Sequence, residues 1–178
     1  MQVRFDPAAD RILWQLRTQG GDMFSAWLTR RMTRGFWPPF LNLVAQAGLP
    51  AAVAAAPAAS VMPEAREMLA DVARTRPLPG AAFNQPFNTQ PVATPLGTEP
   101  LLPVAIDMGP GQGAPGVALR LRDANGRSLS LQLNADLASA LLRLMERAIT
   151  EADWGIAVPA APAAAAADAP PAAPRVLN

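Results

Sequence analysis

The sequence predicts an α+β fold in which two strand–strand–strand–helix units pack as one small domain. Two observations support this prediction. Two alternating apolar runs are each divided by a Gly-containing turn, which is the pattern of a β-hairpin. The two hairpins also superpose without a gap, since Ile12 matches Val117 and Leu28 matches Leu133 at an offset of 105 residues.

Each hairpin is read from its turn and from the runs beside it. In the first unit the turn is Gly20-Gly21, and in the second it is Asn125-Gly126. Both dipeptides are typical of type I′ turns, whose two central residues need positive φ. Gln2 to Phe5 and Leu101 to Met108 are each expected to add one strand upstream of the hairpins.

A helix is predicted after each hairpin. Thr29 and Asn134 stand where an N-cap is needed, and apolar residues recur at helical spacing from Ala135 to about Asp153. The first helix begins at Arg30 and meets Pro38-Pro39, so we expect a kink between Gly35 and Pro39, or a restart at Pro38. Any hairpin followed by a helix aligns with another, so a true internal repeat stays one of two interpretations.

The predicted boundaries follow composition. Residues 1–48 form the first unit and residues 101–156 the second. Residues 49–100 form a linker with a short amphipathic helix at 63–74 and a Pro-rich loop at 76–100. The Ala/Pro-rich residues 157–178 are expected to be a disordered tail.

The amino-acid composition excludes much catalytic chemistry. The chain has no Cys, His or Tyr, and all 15 of its basic residues are Arg. Thiol nucleophiles, imidazole bases, Schiff-base lysines and the commonest zinc ligands are therefore absent from the sequence. The acidic residues Asp6, Asp10 and Asp22 lack a recognisable metal spacing. We expect no enzymatic activity, no cofactor and no metal.

Location is predicted from hydropathy. The N-terminus MQVRFDPAAD lacks the apolar core of a secretory signal, and the sequence shows no long apolar stretch free of Pro and charge. We therefore expect a cytoplasmic protein without a membrane partner. The all-Arg basicity and the abundance of Ala and Pro favour a bacterial origin.

The first candidate surface consists of apolar residues on the side of the first hairpin that is polar in the second. Strand alternation puts Leu13, Met23 and Trp27 on this side, and Trp37 and Phe40 are expected at its rim. Trp and Met are enriched in protein interfaces, so the surface indicates a protein partner or a homodimer. The alternative is that the central segment folds back and covers these residues.

The second candidate is an arginine cluster at the start of the first helix, made of Arg30, Arg31 and Arg34. Arginine forks and free helix N–H groups suit anions, and nearby Trp side chains suit stacked bases. An anion or a single-stranded nucleic acid is therefore possible as a ligand. The alternative is a solvated face whose arginines pair with Asp22 or with acids of the middle helix.

The sequence thus favours a non-catalytic protein that acts by protein–protein interaction or self-assembly. Binding of an anion or a single-stranded nucleic acid through Arg30, Arg31 and Arg34 is the second hypothesis.

Overall fold

The computed structural model describes residues 1–48, 86–113 and 115–158, together with the single residues 68, 71, 75 and 78. Within them the fold is α+β, with two three-stranded antiparallel sheets and two long helices. Sheet A has the order β1-β2-β3 and sheet B the order β4-β5-β6. The elements in chain order are β1 (Gln2–Asp6), β2 (Arg11–Arg17), β3 (Met23–Thr29), α1 (Arg30–Ala47), β4 (Pro103–Pro110), β5 (Gly116–Asp123), β6 (Ser128–Asn134) and α2 (Ala135–Ala152).

Both predicted hairpins form, but their turn differs from the predicted type. Ile12 faces Leu28 in sheet A, and Val117 faces Leu133 in sheet B. The type I′ prediction is wrong, because of each turn dipeptide only the second residue, Gly21 or Gly126, has positive φ. The closing bonds, Thr18 N–H to Asp22 O and Gly21 N–H to Thr18 O, fit a type I turn that ends in a glycine bulge.

The predicted helix caps are confirmed. The Thr29 hydroxyl accepts a hydrogen bond from the Met32 N–H, and the Asn134 side chain accepts one from the Leu137 N–H. Each cap satisfies one of the N–H groups that a helix start leaves unpaired. A strand can therefore turn directly into a helix at both places.

Each helix packs across the boundary between the units. Helix α1 follows sheet A but packs on β4 and β5 of sheet B, whereas α2 follows sheet B and packs on β1 and β2 as well as on β5 and β6. The helices also contact each other. One apolar core therefore joins both units, with members from both sheets and both helices, among them Ile12, Trp14, Leu28, Trp37, Phe40, Val117, Leu121, Leu141 and Met145.

Helix α1 continues through its two prolines. It is one helix from Arg30 to Ala47, so of the two predicted alternatives, a kink or a restart, the restart at Pro38 is wrong. The missing proline N–H groups would have bonded to the carbonyls of Arg34 and Gly35, and all four of these residues are exposed to water. Water can satisfy those carbonyls, while the opposite face of the helix buries large aromatic side chains.

The central segment lies along sheet A before it enters β4. Met23 N–H donates to Ala93 O at 2.9 Å, and Val92 N–H donates to Gly21 O at 3.1 Å. Leu101 forms a parallel bridge with Ala26 and is fully buried. The end of the predicted Pro-rich loop therefore covers the free edge of β3.

The chain after α2 returns to the first unit. The Trp154 indole N–H donates to Asp10 Oδ1 at 2.8 Å, and the Trp37 indole N–H donates to Ala157 O at 3.0 Å. Val158 packs partly buried against the core. The first two residues of the predicted tail, Ala157 and Val158, therefore contact the fold, and residues 159–178 lie outside the described residues.

Two further predictions, a short helix at 63–74 and the absence of a membrane-spanning helix, can be compared only with the described residues. Met68, Asp71 and Thr75 are helical, and the remainder of the short helix predicted at 63–74 lies outside the described residues. No helix in the described part of the chain is long and apolar enough to cross a membrane.

Candidate binding surfaces

The face of sheet A turned away from the core carries the first candidate surface. Cross-strand register puts Arg4, Leu13 and Trp27 in one row over the three strands. Their neighbours Ile12, Trp14 and Ala26 point to the other side, into the core. We call the first side the outer face of sheet A.

The five residues predicted for a partner surface do not form one exposed patch. Trp37 and Phe40 belong to α1, and both are buried in the core. Leu13 and Met23 do lie on the outer face but are also buried. Trp27 is the member of the set that stays partly exposed to solvent.

The helical spacing of α1 explains why Trp37 and Phe40 leave the predicted surface. Thr33, Phe36, Trp37, Phe40 and Val44 are its buried residues, at intervals of three and four. This is the stripe by which a helix packs on a core. This spacing of apolar residues can be read from the sequence. The proline pair, however, led us to expect a kink or a restart of the helix at this point.

Two exposed apolar residues follow Leu101, the residue bonded to Trp27, and sequence reasoning did not identify them. The Trp27 N–H donates to Leu101 O at 2.7 Å, so Leu102 follows directly next to Trp27. Leu101 points into the core, so alternation turns Leu102 outward. Val104 lies where a bulge shifts the register of β4. Leu102 and Val104 are 39% and 55% exposed. We call Trp27, Leu102 and Val104 the tryptophan patch.

The arginine cluster is exposed to solvent. Arg30, Arg31 and Arg34 all lie on the solvent side of α1, and its first turn contains no acidic residue. None of the three forms an ion pair with another residue of the described ranges. Three positive charges thus stand at the helix end where the dipole is already positive.

The arginines of the cluster continue the basic side of sheet A. Arg11 is paired in register with Thr29, the residue that precedes Arg30. Arg4 lies in the same row as Trp27, and its contact with Asp6 is long at 4.0 Å. The tryptophan patch is therefore bordered by positive charge.

An ion pair between the buried Asp123 and the partly exposed Arg127 holds the loop that leads to the tryptophan patch. Arg127 Nε donates to Asp123 Oδ2 at 2.7 Å, and the other Asp123 oxygen accepts from the N–H groups of Asn125 and Arg127. Arg127 Nη1 donates in turn to Leu96 O at 3.0 Å. The pair therefore fixes both the β5–β6 turn and the central segment.

The environment of Asp123 changes its acidity. Burial raises the pKa of the carboxyl, but the hydrogen bonds from Arg127 and Asn125 and the charge of Arg127 outweigh burial. The pKa of Asp123 therefore lies below its ordinary value of 3.8. The carboxylate stays charged at neutral pH and serves the architecture of the turn.

The outer face of sheet B contains a shallow hollow of about 290 Å³. Gly109 and Ala118 leave space at its floor, and the polar side chains of Arg120, Ser130 and Gln132 line it. Asp107 borders the hollow and pairs with Arg122 at 3.0 Å. The hollow is open to solvent, and its charged groups are exposed.

The acids considered for a metal site have separate structural contacts. Asp6 Oδ1 accepts hydrogen bonds from Ala8 and Ala9 N–H, and Asp10 Oδ1 accepts the Trp154 indole N–H. Over the described ranges, no group of three acidic side chains is close enough to share a metal ion.

The chain was also compared with known proteins. No family model, no curated protein and no solved structure matches it.

Proposed function

We propose that this chain is a non-catalytic binding protein whose tryptophan patch contacts a protein partner. The observation that carries the proposal is the exposure of Leu102, which follows the residue bonded to the partly exposed Trp27, and of Val104 two residues further along the chain. Large apolar side chains on one surface favour a protein contact, and tryptophan is the residue type most enriched at interface hot spots.

The surrounding charges fit this proposal. Interfaces commonly have an apolar centre and a polar rim, and arginine is enriched in them. Arg4 and Arg11 on sheet A and Arg30 at the start of α1 provide such a rim. We therefore expect the partner to present an apolar centre with acidic residues around it.

A second candidate is a single-stranded nucleic acid bound by the same surface. The observation in its favour is that Arg30, Arg31 and Arg34 are exposed and form no ion pair within the described ranges. Bases can stack on a tryptophan while arginines contact phosphates. Because binding then releases counterions, its affinity would fall steeply with salt.

We also interpret the two βββα units as an internal repeat. Three observations support this interpretation: the units share their element order, each has a side-chain N-cap at the same position, and the hairpins have the same register at an offset of 105 residues. It predicts that positions 105 residues apart have equivalent backbone roles.

The proposal is tested by photo-crosslinking in the full chain. A photoreactive residue at Leu102 should crosslink one discrete protein in the native host. The same residue at Leu137, which is 45% exposed on α2, should not. Trp27→Glu should remove the crosslink at position 102 and weaken binding of the purified partner by roughly tenfold or more.

A second variant keeps the test independent of folding. Val104→Glu changes an exposed residue outside the core, leaves position 102 free for the photoreactive residue, and should have the same effect as Trp27→Glu. Leu137→Glu is the matched control and should leave the crosslink in place. Crosslinking that both patch variants leave unchanged would overturn the protein-partner proposal.

The nucleic-acid candidate has its own outcome in these measurements. A nuclease-sensitive crosslink at position 102 would favour it, together with oligonucleotide binding that weakens with salt. Replacing Arg30, Arg31 and Arg34 by Ala should then abolish that binding. Affinity that ignores salt, or survives the triple replacement, would remove this candidate.

A further inference from the structure

Strand β6 is an edge strand without the usual protection against pairing. It is the last strand of sheet B, and its sequence SLSLQLN contains no charged residue and no proline. Natural edge strands commonly carry charges, prolines or bulges that prevent pairing with other chains. The other outer strand of the sheet, β4, has Pro103 and Pro110, and α1 packs against it.

The closing bond of the hairpin shows which groups of β6 point outward. Asp123 N–H donates to Arg127 O at 3.0 Å, so the hydrogen-bonded pairs of the hairpin are the odd-numbered residues. Ala135 N–H donates to Pro115 O at 3.1 Å, in agreement with this phase. The N–H and C=O groups of Ser130 and Gln132 therefore point away from β5.

The equivalent edge in sheet A is occupied. There the bond from Thr18 N–H to Asp22 O sets the same phase, so Met23, Ser25 and Trp27 point outward from β3. Met23 and Trp27 donate to Ala93 O and Leu101 O, and Ser25 O accepts from Leu101 N–H. An extended segment thus binds the outward groups of β3.

The positions in β6 that correspond to Ser25 and Trp27, 105 residues further on, are Ser130 and Gln132. The backbone groups of these two residues form no hydrogen bond with any other residue of the described chain apart from their own strand neighbours. Unpaired edge groups are a template for a further strand. As far as the described residues go, the β6 edge therefore offers unpaired groups of the kind that an extended segment binds on β3.

We propose that β6 pairs antiparallel with β6 of a second copy of this chain, so that two copies of sheet B form one six-stranded sheet. Pairing about Leu131 matches the outward groups of Ser130 with those of Gln132 in the second copy. It also aligns Leu129 with Leu133 of the second copy, and Leu131 with its own equivalent. Every apolar residue of β6 then stays on the core side and every polar residue stays on the solvent side.

A second copy fits this edge because β6 is complementary to itself. With no charge in Ser128–Asn134, a symmetric pairing brings no like charges together. Leu131 is still partly exposed in the single chain and would be covered by its equivalent at the two-fold axis. This contact uses neither the tryptophan patch nor the arginine cluster, so it is independent of the function proposed above.

The test is light scattering with size exclusion on the full chain over a range of concentrations. The wild type should approach twice the 18.7 kDa mass of one chain. Ser130→Lys/Gln132→Lys should stay monomeric, because each Lys faces a Lys of the second copy. Ser130→Glu/Gln132→Glu should also be monomeric, and an equimolar mixture of the two variants should recover the dimer.

Controls and a second measurement separate the β6 contact from other assemblies. Gln90→Lys/Gln112→Lys adds the same charge at exposed positions away from β6 and should dimerise like the wild type. The amides of Ser130 and Gln132 should exchange with solvent quickly in dilute samples and slowly in concentrated ones. Trp27→Glu should leave this dimer intact. The effect of Trp27→Glu on partner binding can therefore be distinguished from an effect on dimerisation.

Three results would overturn the proposal. The first is a wild type that stays monomeric at every concentration. The second is a mixture of the Lys and Glu variants that does not dimerise. The third is slow exchange of the Ser130 and Gln132 amides at every concentration, which would show that a segment of the same chain already covers the edge.

Discussion

Asp123 is the clearest case of a single side chain that organises its surroundings. Its carboxylate binds the N–H groups of Asn125 and Arg127 and the Arg127 guanidinium, which in turn holds Leu96 O. The side chain of Asp123 is only 3% exposed. Such a carboxylate is stabilising because each of its bonds satisfies a donor that would otherwise lose water.

The lowered pKa of Asp123 makes a pH-dependent contribution to stability. A carboxyl whose folded-state pKa is depressed stabilises the fold fully above its unfolded-state value, which is ordinarily 3.8. That contribution is lost as pH falls through the lower folded-state pKa. Asp123→Asn should therefore lower the urea midpoint at neutral pH, and the difference from wild type should shrink on acidification to about pH 2.

Asp107→Asn provides the matched control for this prediction. Asp107 also pairs with an arginine, Arg122, but both side chains are about half exposed, so its removal should change the midpoint little at any pH. A difference between Asp123→Asn and wild type that stays constant down to strongly acidic pH would contradict the pKa argument.

At the scale of single elements, local sequence predicts much of what forms. Alternation identified both hairpins and the buried side of each, and Thr29 and Asn134 were identified as caps because both are good N-cap residues at a strand–helix junction. The turn type was wrong, since a glycine in second place suits both the type I′ turn and the glycine bulge. Whether α1 is continuous was left open between a kink and a restart, because a proline pair normally kinks or ends a helix.

Although α1 accommodates its two prolines, we expect them to make the protein less stable than alanines at the same positions would. Replacing Pro38 and Pro39 by Ala returns two N–H donors to the exposed carbonyls of Arg34 and Gly35 and removes two ring clashes. It also frees the unfolded chain, which offsets part of the gain. We expect a net rise of about 1 kcal/mol in the free energy of unfolding, measured by chemical denaturation.

Pro7→Ala is a control of opposite sign. Pro7 lies exposed in the turn between β1 and β2, where a proline restricts the unfolded chain without interrupting a helix. Its replacement should lower stability by about 0.4–1 kcal/mol. If Pro38→Ala/Pro39→Ala also lowered stability, the proline rings would have to contribute packing that their exposure does not indicate.

At the scale of the whole molecule, sequence reasoning stops where packing between the units begins. Periodicity gives the apolar side of an element but not the element it packs on, so α1 on sheet B and α2 on sheet A were not predicted. For the same reason Trp37 and Phe40 were expected on a surface and are found in the core. The parallel contact of Leu101 with β3 joins residues 75 positions apart and has no local signal in the sequence. The positions of Leu102 and Val104, which depend on this contact, could therefore not be predicted.

The end of the described chain supplies a long-range contact whose strength can be measured. Trp154 is buried against the core, packs edge-to-face on Phe5 and donates its indole N–H to Asp10. Asp10 has a φ of 46°, so Asp10→Gly removes the acceptor while keeping a residue that adopts this backbone readily. Asp10→Asn keeps both an acceptor and tolerance of positive φ, and is the matched control.

We expect the contact between Trp154 and Asp10 to couple the two units. In a double-mutant cycle of Asp10→Gly and Trp154→Phe, the two losses of unfolding free energy should fall short of additivity by about 1–2 kcal/mol, because either change alone removes the same charge-assisted hydrogen bond. The cycle of Asp10→Asn with Trp154→Phe should keep most of this coupling. Strict additivity in the cycle of Asp10→Gly with Trp154→Phe would mean that the indole hydrogen bond adds nothing to the packing of Trp154 on Phe5. Apolar contact alone would then join the end of the described chain to sheet A.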